Sequence, residues 1–347
     1  MLAKLVNLEI AVVILNYNGE KFLKDFLPSV IAHSKNATIY VVDNCSTDNS
    51  VNFLKENYPI VKLVINQENG GFAKGYNDGL KHISADYYVL LNSDIEVTPN
   101  WIAPCIELME SDKSIAGVQP KILAYHNKKQ FEHAGAAGGF LDKDFYPFCQ
   151  GRLFEIVEED NGQYNQNKEV FWASGACLFV RANLYHQLGG LDEDFFAHME
   201  EIDFCWRLKK QNYKLFYCAD SKVYHVGGGT LNYMSPRKTY LNFRNSLYMM
   251  AKNYDGNLLL KIFKRLVLDS LAGGLFLVKF QFSHIWAIIK AHFSFYAQLP
   301  NLLKKRKIII QSQTTFNPIG LYNKSIIAQK FLKGTKKFTD LNPIDFK

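Results

Sequence analysis

IAVVILNYNG, residues 10–19, carries six apolar residues, four of them β-branched, straight into a polar turn. A run that short leaves no room for a helical period and reads as a buried strand whose carboxyl end opens to solvent. The shape recurs: residues 38–43 (TIYVVD) stop at Asn44, residues 61–66 read VKLVIN, and residues 87–92 (YYVLLN) stop at Ser93-Asp94. Helical patterns lie between them, over Gly19–His33, Thr47–Asn57 and Phe72–Ile83. Such alternation marks βα units, so the expected fold class is α/β, a Rossmann-like, mainly parallel sheet flanked by helices. Open sheets of this kind take ligands beyond the carboxyl ends of their strands. Here those ends are Asn16-Tyr17-Asn18, Asp43-Asn44 and Asn92-Ser93-Asp94, polar each time.

Further along, Ala124 to Asn167 is Gly-rich, shows little periodicity and reads as long loops. Val170–Arg181 reads as one buried strand and Ala182–Leu188 as a short helix. Glu200–Gln211 reads as an amphipathic helix, followed by a strand over Tyr213–Cys218. From Tyr240 to Ile310 aromatic and aliphatic residues crowd between lysines, and the last 30 or so residues read as loosely ordered.

The 347 residues suffice for one α/β domain with an appendage. The six cysteines form no C-x-x-C pair and no Cys/His cluster, so reduced core thiols are expected rather than a zinc site or disulfide scaffold. The N-terminus has neither the length nor the cleavage site of a secretory signal, which implies a cytoplasmic location. The net charge of +7 is uneven: residues 251–347 hold 16 Lys and Arg against 4 Asp, leaving the first 250 residues acidic.

Several residues carry chemistry. Asp43 can accept hydrogen bonds from a ribose or a pyrimidine N3–H, or simply cap the turn that follows; both readings stay open. Asn69-Gly70-Gly71 opens a helix whose backbone N–H groups suit a diphosphate, or forms a plain turn. Asp94, delivered by an apolar strand, is the hard oxygen ligand that a divalent cation bridging two phosphates takes. Such an ion offsets charge on a departing nucleotide diphosphate. On a helix, Glu200, Asp203 and Arg207 share a face, whereas Glu201 points about 100° away. Asp203 and Arg207 then form an i, i+4 ion pair. Glu201 is left to reach a cleft as general base, its charge favoured near a helix start. His225 follows a strand and precedes three glycines; in the company of Asp94 it is a candidate second metal ligand.

With these residues in hand, the chain resembles the family 2 glycosyltransferases of the GT-A fold, especially the bacterial rhamnosyltransferase-like branch that builds polysaccharides. The resemblance runs from about residue 8 to about residue 255. It rests on ordered motifs: VVILNYNG, VVDNCSTDNS, NGGFAKGYNDG, LLNSD, WASGACLFVR, FFAHMEEIDFCWRLKKQNY and YHVGGGT. It implies that Asp43 contacts the nucleobase, with Asn16, Asn18, Asn44, Asn69, Gly71, Asn77 and Asn92 in the nucleotide pocket. It also implies that Asp94 and His225 hold Mn²⁺ or Mg²⁺, that Glu201 is the base, and that Trp172, Gly175 and Glu200 belong to the acceptor and sugar subsite. Two positions depart from the pattern. Asn92 stands where many relatives carry a first aspartate, and Glu201 stands where the family usually has an aspartate, so Glu200 or Glu201 is the base. The implied reaction is an inverting transfer from a nucleotide-diphosphate sugar to a saccharide or polyprenyl-linked acceptor.

The domains expected are a catalytic one over residues 1–255, its halves meeting near residue 120, and a basic amphipathic helical region over residues 256–347. Lysines interrupt every apolar stretch from Leu258 to Leu303, so a spanning helix is not expected. The helices either lie on an anionic membrane surface, anchored by Lys304-Lys305-Arg306-Lys307, or pack on the catalytic domain or a second subunit. A dehydrogenase would need G-x-G-x-x-G after the first strand, where Asn16-Tyr17-Asn18-Gly19-Glu20 stands. A nucleic-acid binder would need a recognition module that the tail lacks. The alternative is a catalytically silent relative that binds a nucleotide sugar or a membrane partner.

Overall fold

The computed structural model describes residues 8–227 and 235–347. β1 (Ile10–Asn16) lies inside the main sheet and feeds two cores by its alternation. Ala11 and Val13 face one side; Ile10, Val12 and Ile14 face the other. α1 (Glu20–His33), β2 (Thr38–Asp43), α2 (Ser50–Asn57), β3 (Lys62–Ile65), α3 (Gly71–Leu80) and β4 (Tyr87–Asn92) follow, close to the expected boundaries. α1 buries Leu23, Phe26, Leu27 and Val30, an i, i+3, i+4, i+7 stripe. Burying each such apolar side chain contributes about 1.5–3 kcal/mol, so the stripe fixes α1 on the sheet.

Next come β5 (Ile95–Val97), α4 (Ala103–Ser111), β6 (Ile115–Ala124), then β7 (Gly139–Asp142), β8 (Pro147–Cys149), β9 (Arg152–Leu153) and β10 (Ile156–Val157). β11 (Lys168–Val170), β12 (Cys177–Arg181), α5 (Ala182–Gln187), α6 (Glu200–Lys210) and β13 (Lys214–His225) complete this part. The main sheet runs β11-β13-β6-β12-β4-β1-β2-β3, with β5 on β13. Its β4-β1-β2-β3 half is parallel, as expected; beyond it β12 runs antiparallel between β4 and β6, so the sheet as a whole is mixed. In register, Asn16 lies opposite Asp43, and Leu15 opposite Asn92. The polar strand ends therefore share one edge.

Three expectations need correction. Residues 124–167 are not all loop: β7–β10 join β14 (Leu321–Tyr322) in a second sheet. Its strands of two to four residues are too short to show a period in sequence. Val170–Arg181 is not one strand, because residues 171–176 leave the sheet between β11 and β12. Nor is the C-terminal end loose. After α7 (Pro236–Asn253), α8 (Leu258–Val278) and α9 (Phe282–Ser312), the chain adds β14 to β7 and forms α10 (Ile326–Lys333). Phe338 and Phe346 then pack on Phe140, with ring centroids 5.0 and 5.3 Å away. Apolar residues spaced irregularly along the tail bury themselves only against a surface made elsewhere in the chain.

Candidate active site

Asn16 is fully buried and donates Nδ2–H to Asp43 Oδ1 (3.1 Å) and Ser46 Oγ (3.2 Å). Its Oδ1 finds no hydrogen-bond partner. Gly19 makes room for that oxygen, since a Cβ there would sit 2.3 Å from it. The Asp43 carboxylate accepts from the Ser46 amide (2.8 Å), so the capping role left open by the sequence is filled. Asn18, at φ 49°, accepts from the amides of Thr47 (2.7 Å) and Asp48 and thereby ties the first strand end to the second. Asn44 donates to Asn69 Oδ1 (2.9 Å) and Gly71 O (3.1 Å), and Asn69 Oδ1 also accepts from the Gly71 amide. These groups form one hydrogen-bonded shelf at the sheet edge. Gly71, at φ +87°, lies where a Cβ would strike Phe196. Asn77 is placed differently from the expectation. Its amide is spent on Leu191 O and N, Tyr185 Oη and Glu193, so it ties α5 to the segment that follows it and offers a ligand little.

β5 pairs with β13 so that Ile95 opposes His225, which brings Asp94 to the imidazole. Asp94 Oδ1 lies 3.1 Å from His225 Nε2, and Asn92 Nδ2 lies 3.4 Å from the same nitrogen. His225 Nδ1 faces Glu132 Oε2 at 3.4 Å. The sequence reading missed Glu132; it is a buried acid within the stretch read as loops, marked only by the apolar and small residues around it. Burial opposes charge on the imidazole, but Glu132 and Asp94 on its two sides outweigh that and hold it near 10. Burial likewise works against the Glu132 carboxylate, and the imidazolium brings it down to about 2.

α6 starts from a strained loop: Phe196, His198 and Met199 have φ of 65°, 70° and 72°. Asn245 on α7 clamps it by donating to Phe195 O (2.9 Å), Ala197 O (2.8 Å) and His198 O (2.7 Å). Glu200 and Glu201 follow at once, and Oε2 of each is buried without a hydrogen-bond partner. Burial and then the neighbouring Glu201 push the Glu200 carboxyl well above the usual range. Burial pushes Glu201 up to about 7, with the backbone dipoles at the start of α6 holding it back. Asp203 and Arg207 form the expected ion pair, Nε to Oδ2 at 2.9 Å, inside the fold.

Gly175 lies against Glu201: a Cβ there would stand 3.5 Å from Glu201 Cβ and 3.5 Å from Phe72 Cζ. The next residue, Ala176, accepts at its carbonyl from the Asn92 amide (2.9 Å). One turn between β11 and β12 thus touches both Glu201 and the strand end that carries Asp94. Trp172 is corrected. It is 5% exposed, its indole N–H is spent on Phe140 O (3.0 Å), and its ring covers Gly139, so it supports the site from behind instead of lining a subsite. Residues 228–230 of the glycine motif after His225 lie outside the described residues.

Among the described residues, no three His, Cys, Asp or Glu side chains cluster to hold a metal between them. Asp94 and His225 nonetheless fit two positions of one ion. Two cis ligands of an octahedral cation, each about 2.1 Å from it, lie about 3 Å apart, and these donors are 3.1 Å apart. The pair is one carboxylate oxygen and one imidazole nitrogen, so a cation would displace the proton now shared between them and leave its other positions to phosphate oxygens and water.

The chain matches the family model Glycosyl transferase family 2 over residues 11–189. It is 23% identical over 245 residues to the low-salt glycan biosynthesis hexosyltransferase Agl10 of Haloferax volcanii, covering 68% of this chain and 74% of that one. It is 24% identical over 231 residues to the N-acetylglucosaminyl-diphospho-decaprenol L-rhamnosyltransferase of Mycobacterium tuberculosis, covering 62% and 75%. The crystal structure of GalNAc-T7 with UDP, GalNAc and Mn²⁺ shares the fold at a TM-score of 0.55 and 18% identity, over 72% of this chain and 48% of that one. The chain thus spans about half of that structure, and the shared architecture is the GT-A fold. With more than half of its length matched by the family model, the chain belongs to glycosyl transferase family 2, and it resembles the rhamnosyltransferase-like branch of that family.

Proposed function

We propose that this glycosyltransferase moves a sugar, rhamnose in our reading, from a nucleotide-diphosphate donor to a saccharide or polyprenyl-diphosphate-linked acceptor in polysaccharide synthesis, with inversion at the anomeric carbon. The observation that carries the proposal is the shared turn: Gly175 abuts Glu201, while Ala176 is hydrogen-bonded to the strand end beside Asp94 and His225. A base and a cation-binding pair linked through one turn suit a displacement in which acceptor and leaving group lie on opposite sides of one carbon. The name of the tuberculosis relative supports the acceptor and sugar, and the UDP and Mn²⁺ bound to GalNAc-T7 support the donor class and ion.

In this mechanism the shelf of Asn16, Asn18, Asp43 and Asn44 binds the nucleoside, with Asn69 and Gly71 beside the phosphates. Asp94 and His225 would hold Mn²⁺ or Mg²⁺, and such an ion would offset negative charge on the diphosphate. Glu201 takes the proton from the acceptor hydroxyl as that oxygen bonds to the anomeric carbon and the bond to the diphosphate breaks. Glu200, more deeply buried, stays protonated beside it and lets a single negative charge reside on Glu201. Residues 1–255 supply this chemistry and residues 256–347 hold the enzyme near its lipid-linked acceptor, on the cytoplasmic face of the membrane.

The test is a thermal-shift panel of UDP-, dTDP- and GDP-sugars with Mn²⁺, Mg²⁺ or EDTA, followed by hydrolysis assays on the hits. One nucleotide sugar should raise the melting temperature only with metal, and Asp94→Ala should remove that rise. Equal stabilisation in EDTA, unchanged by Asp94→Ala, would falsify the metal assignment.

A further inference from the structure

α8 is built inside out. Its protein-facing side presents Ile262, Arg265 and Asp269, with Arg265 1% and Asp269 0% exposed. These charges find partners within the fold: Arg265 reaches Ser246 Oγ (2.9 Å) and Asp144 O (3.2 Å), while Asp269 accepts from Tyr146 Oη (3.0 Å) and pairs with His292 (3.2 Å). The opposite side is apolar and open, with Leu260, Phe263, Val267, Leu271, Leu275 and Val278 all exposed. Steps of three and four residues put them on one stripe. The α8–α9 turn continues it with Phe280, 78% exposed, and the outer side of α9 adds Trp286 and Phe293. A patch this continuous needs a cover.

Charge identifies the cover. From residue 258 to 312 the single acid is Asp269, which is buried, whereas Lys279, at the end of α8, and Lys290, whose ammonium lies 5.6 Å from the centre of the Trp286 ring, are exposed beside the apolar residues. A second copy of the same face would bring these cations against each other, whereas anionic lipid headgroups complement them while the acyl region takes the stripe. No helix among the described residues is long and apolar enough to cross a membrane. The basic run expected to act as the anchor is not available as a unit. Lys305 is bound to Asp192 (2.6 Å) and Asp194 (2.7 Å), and Arg306 is bound to backbone carbonyls of α7 and its end.

We propose that α8, the α8–α9 turn and the outer side of α9 form a monotopic docking face that lies in the interface of an anionic bilayer. The inference deepens the lipid-linked acceptor reading above and rests on it for its purpose, while its physical basis is the inverted helix.

The full chain is floated with vesicles of phosphatidylcholine alone or of equal parts phosphatidylcholine and phosphatidylglycerol. Anionic vesicles should carry most of the protein at low salt and neutral ones much less. Phe263→Glu/Leu271→Glu and Lys279→Glu/Lys290→Glu should each cut the floated fraction about tenfold while leaving the melting temperature in place. No flotation with anionic vesicles, or flotation that both variants retain, overturns the proposal. So does a dimer in light scattering that Phe263→Glu/Leu271→Glu dissolves without any vesicle binding, which would assign the face to a second copy. The Mn²⁺-dependent shift by UDP is read on the same samples, so failure of the donor reading and failure of docking are seen separately.

Discussion

Asp94 Oδ1 and His225 Nε2 stand 3.1 Å apart because β5, which starts just after the aspartate, pairs antiparallel with the end of β13, which terminates in the histidine. Removing either partner should therefore disable the same function. Asp94→Asn and His225→Ala should each weaken UDP binding in Mn²⁺ by about tenfold or more, at least about 1.4 kcal/mol. In EDTA both should bind like the parent. The double variant should lose little beyond either single one, as coupled residues do. Titration calorimetry with and without Mn²⁺ reads all four; additive losses would show that the two side chains serve separate sites.

Glu201→Gln should preserve donor affinity and lower kcat by about 10²–10⁴, the usual share of a general base. The pH profile sharpens this. Burial raises the Glu201 carboxyl to about 7, so the parent enzyme's kcat should climb as pH rises through that region and flatten above it. Glu201→Gln should be flat there. The stability sign is opposite to that of a salt-bridged acid. With a folded-state pKa above the unfolded one, the cost of the buried charge is absent below about 4.5, grows between about 4.5 and 7, and is fully present above. Glu201→Gln should then melt higher than the parent at pH 8 and match it at pH 4.5. Parent-like turnover in this variant would move the base to Glu200.

What the sequence revealed and what it hid have physical causes. Strands such as residues 10–16 and 87–92 are buried on both faces and end in polar residues, so composition alone marks both strand and site edge. Asp94 follows β4, Glu201 opens α6 and His225 ends β13, so as candidates they could be picked out from the sequence for that reason. Glu132 could not, because it sits in the connection between β6 and β7, outside any periodic element, and its partner His225 is distant in sequence. Trp172 and Asn77 carried the right motifs but are turned inward, a matter of side-chain direction that spacing cannot report. The inverted face of α8 looked like an ordinary amphipathic helix, since a periodic pattern does not say which side is covered.

Asn245 should matter to turnover although it lies on α7, away from the sheet edge. Its three donations hold Phe196 and His198 in left-handed conformations that cost about 1–3 kcal/mol each. Asn245→Ala should let the loop relax and shift the start of α6, and with it Glu201. We expect kcat to fall at least tenfold, a stability loss of about 1–3 kcal/mol, and UDP affinity within about twofold of the parent. Steady-state kinetics beside calorimetry separates the effects. A variant with lower stability but unchanged kcat would reduce Asn245 to a structural clamp.

Lys252 sets how firmly α6 and α7 are joined. Its ammonium, 1% exposed as a residue, is bonded to Asp192 and lies 2.8 Å from Asp203 Oδ1, whose other oxygen holds Arg207. Lys252→Met leaves two carboxylates facing each other's space with less compensation, and breaking a buried pair from one side costs about 3–5 kcal/mol. The pH dependence identifies the mechanism. Burial works against the Asp192 carboxylate, but Lys252 and Lys305 outweigh it and hold it below the usual range. A depressed folded-state pKa gives stability that is present above about 4 and lost as pH falls through the folded value. The gap between parent and Lys252→Met in chemical denaturation should therefore be full at pH 7 and narrow below pH 4. Adding Asp192→Asn to Lys252→Met should recover part of the loss at neutral pH by removing the stranded charge. A gap independent of pH would trace the damage to lost packing of the lysine stem and not to its charge.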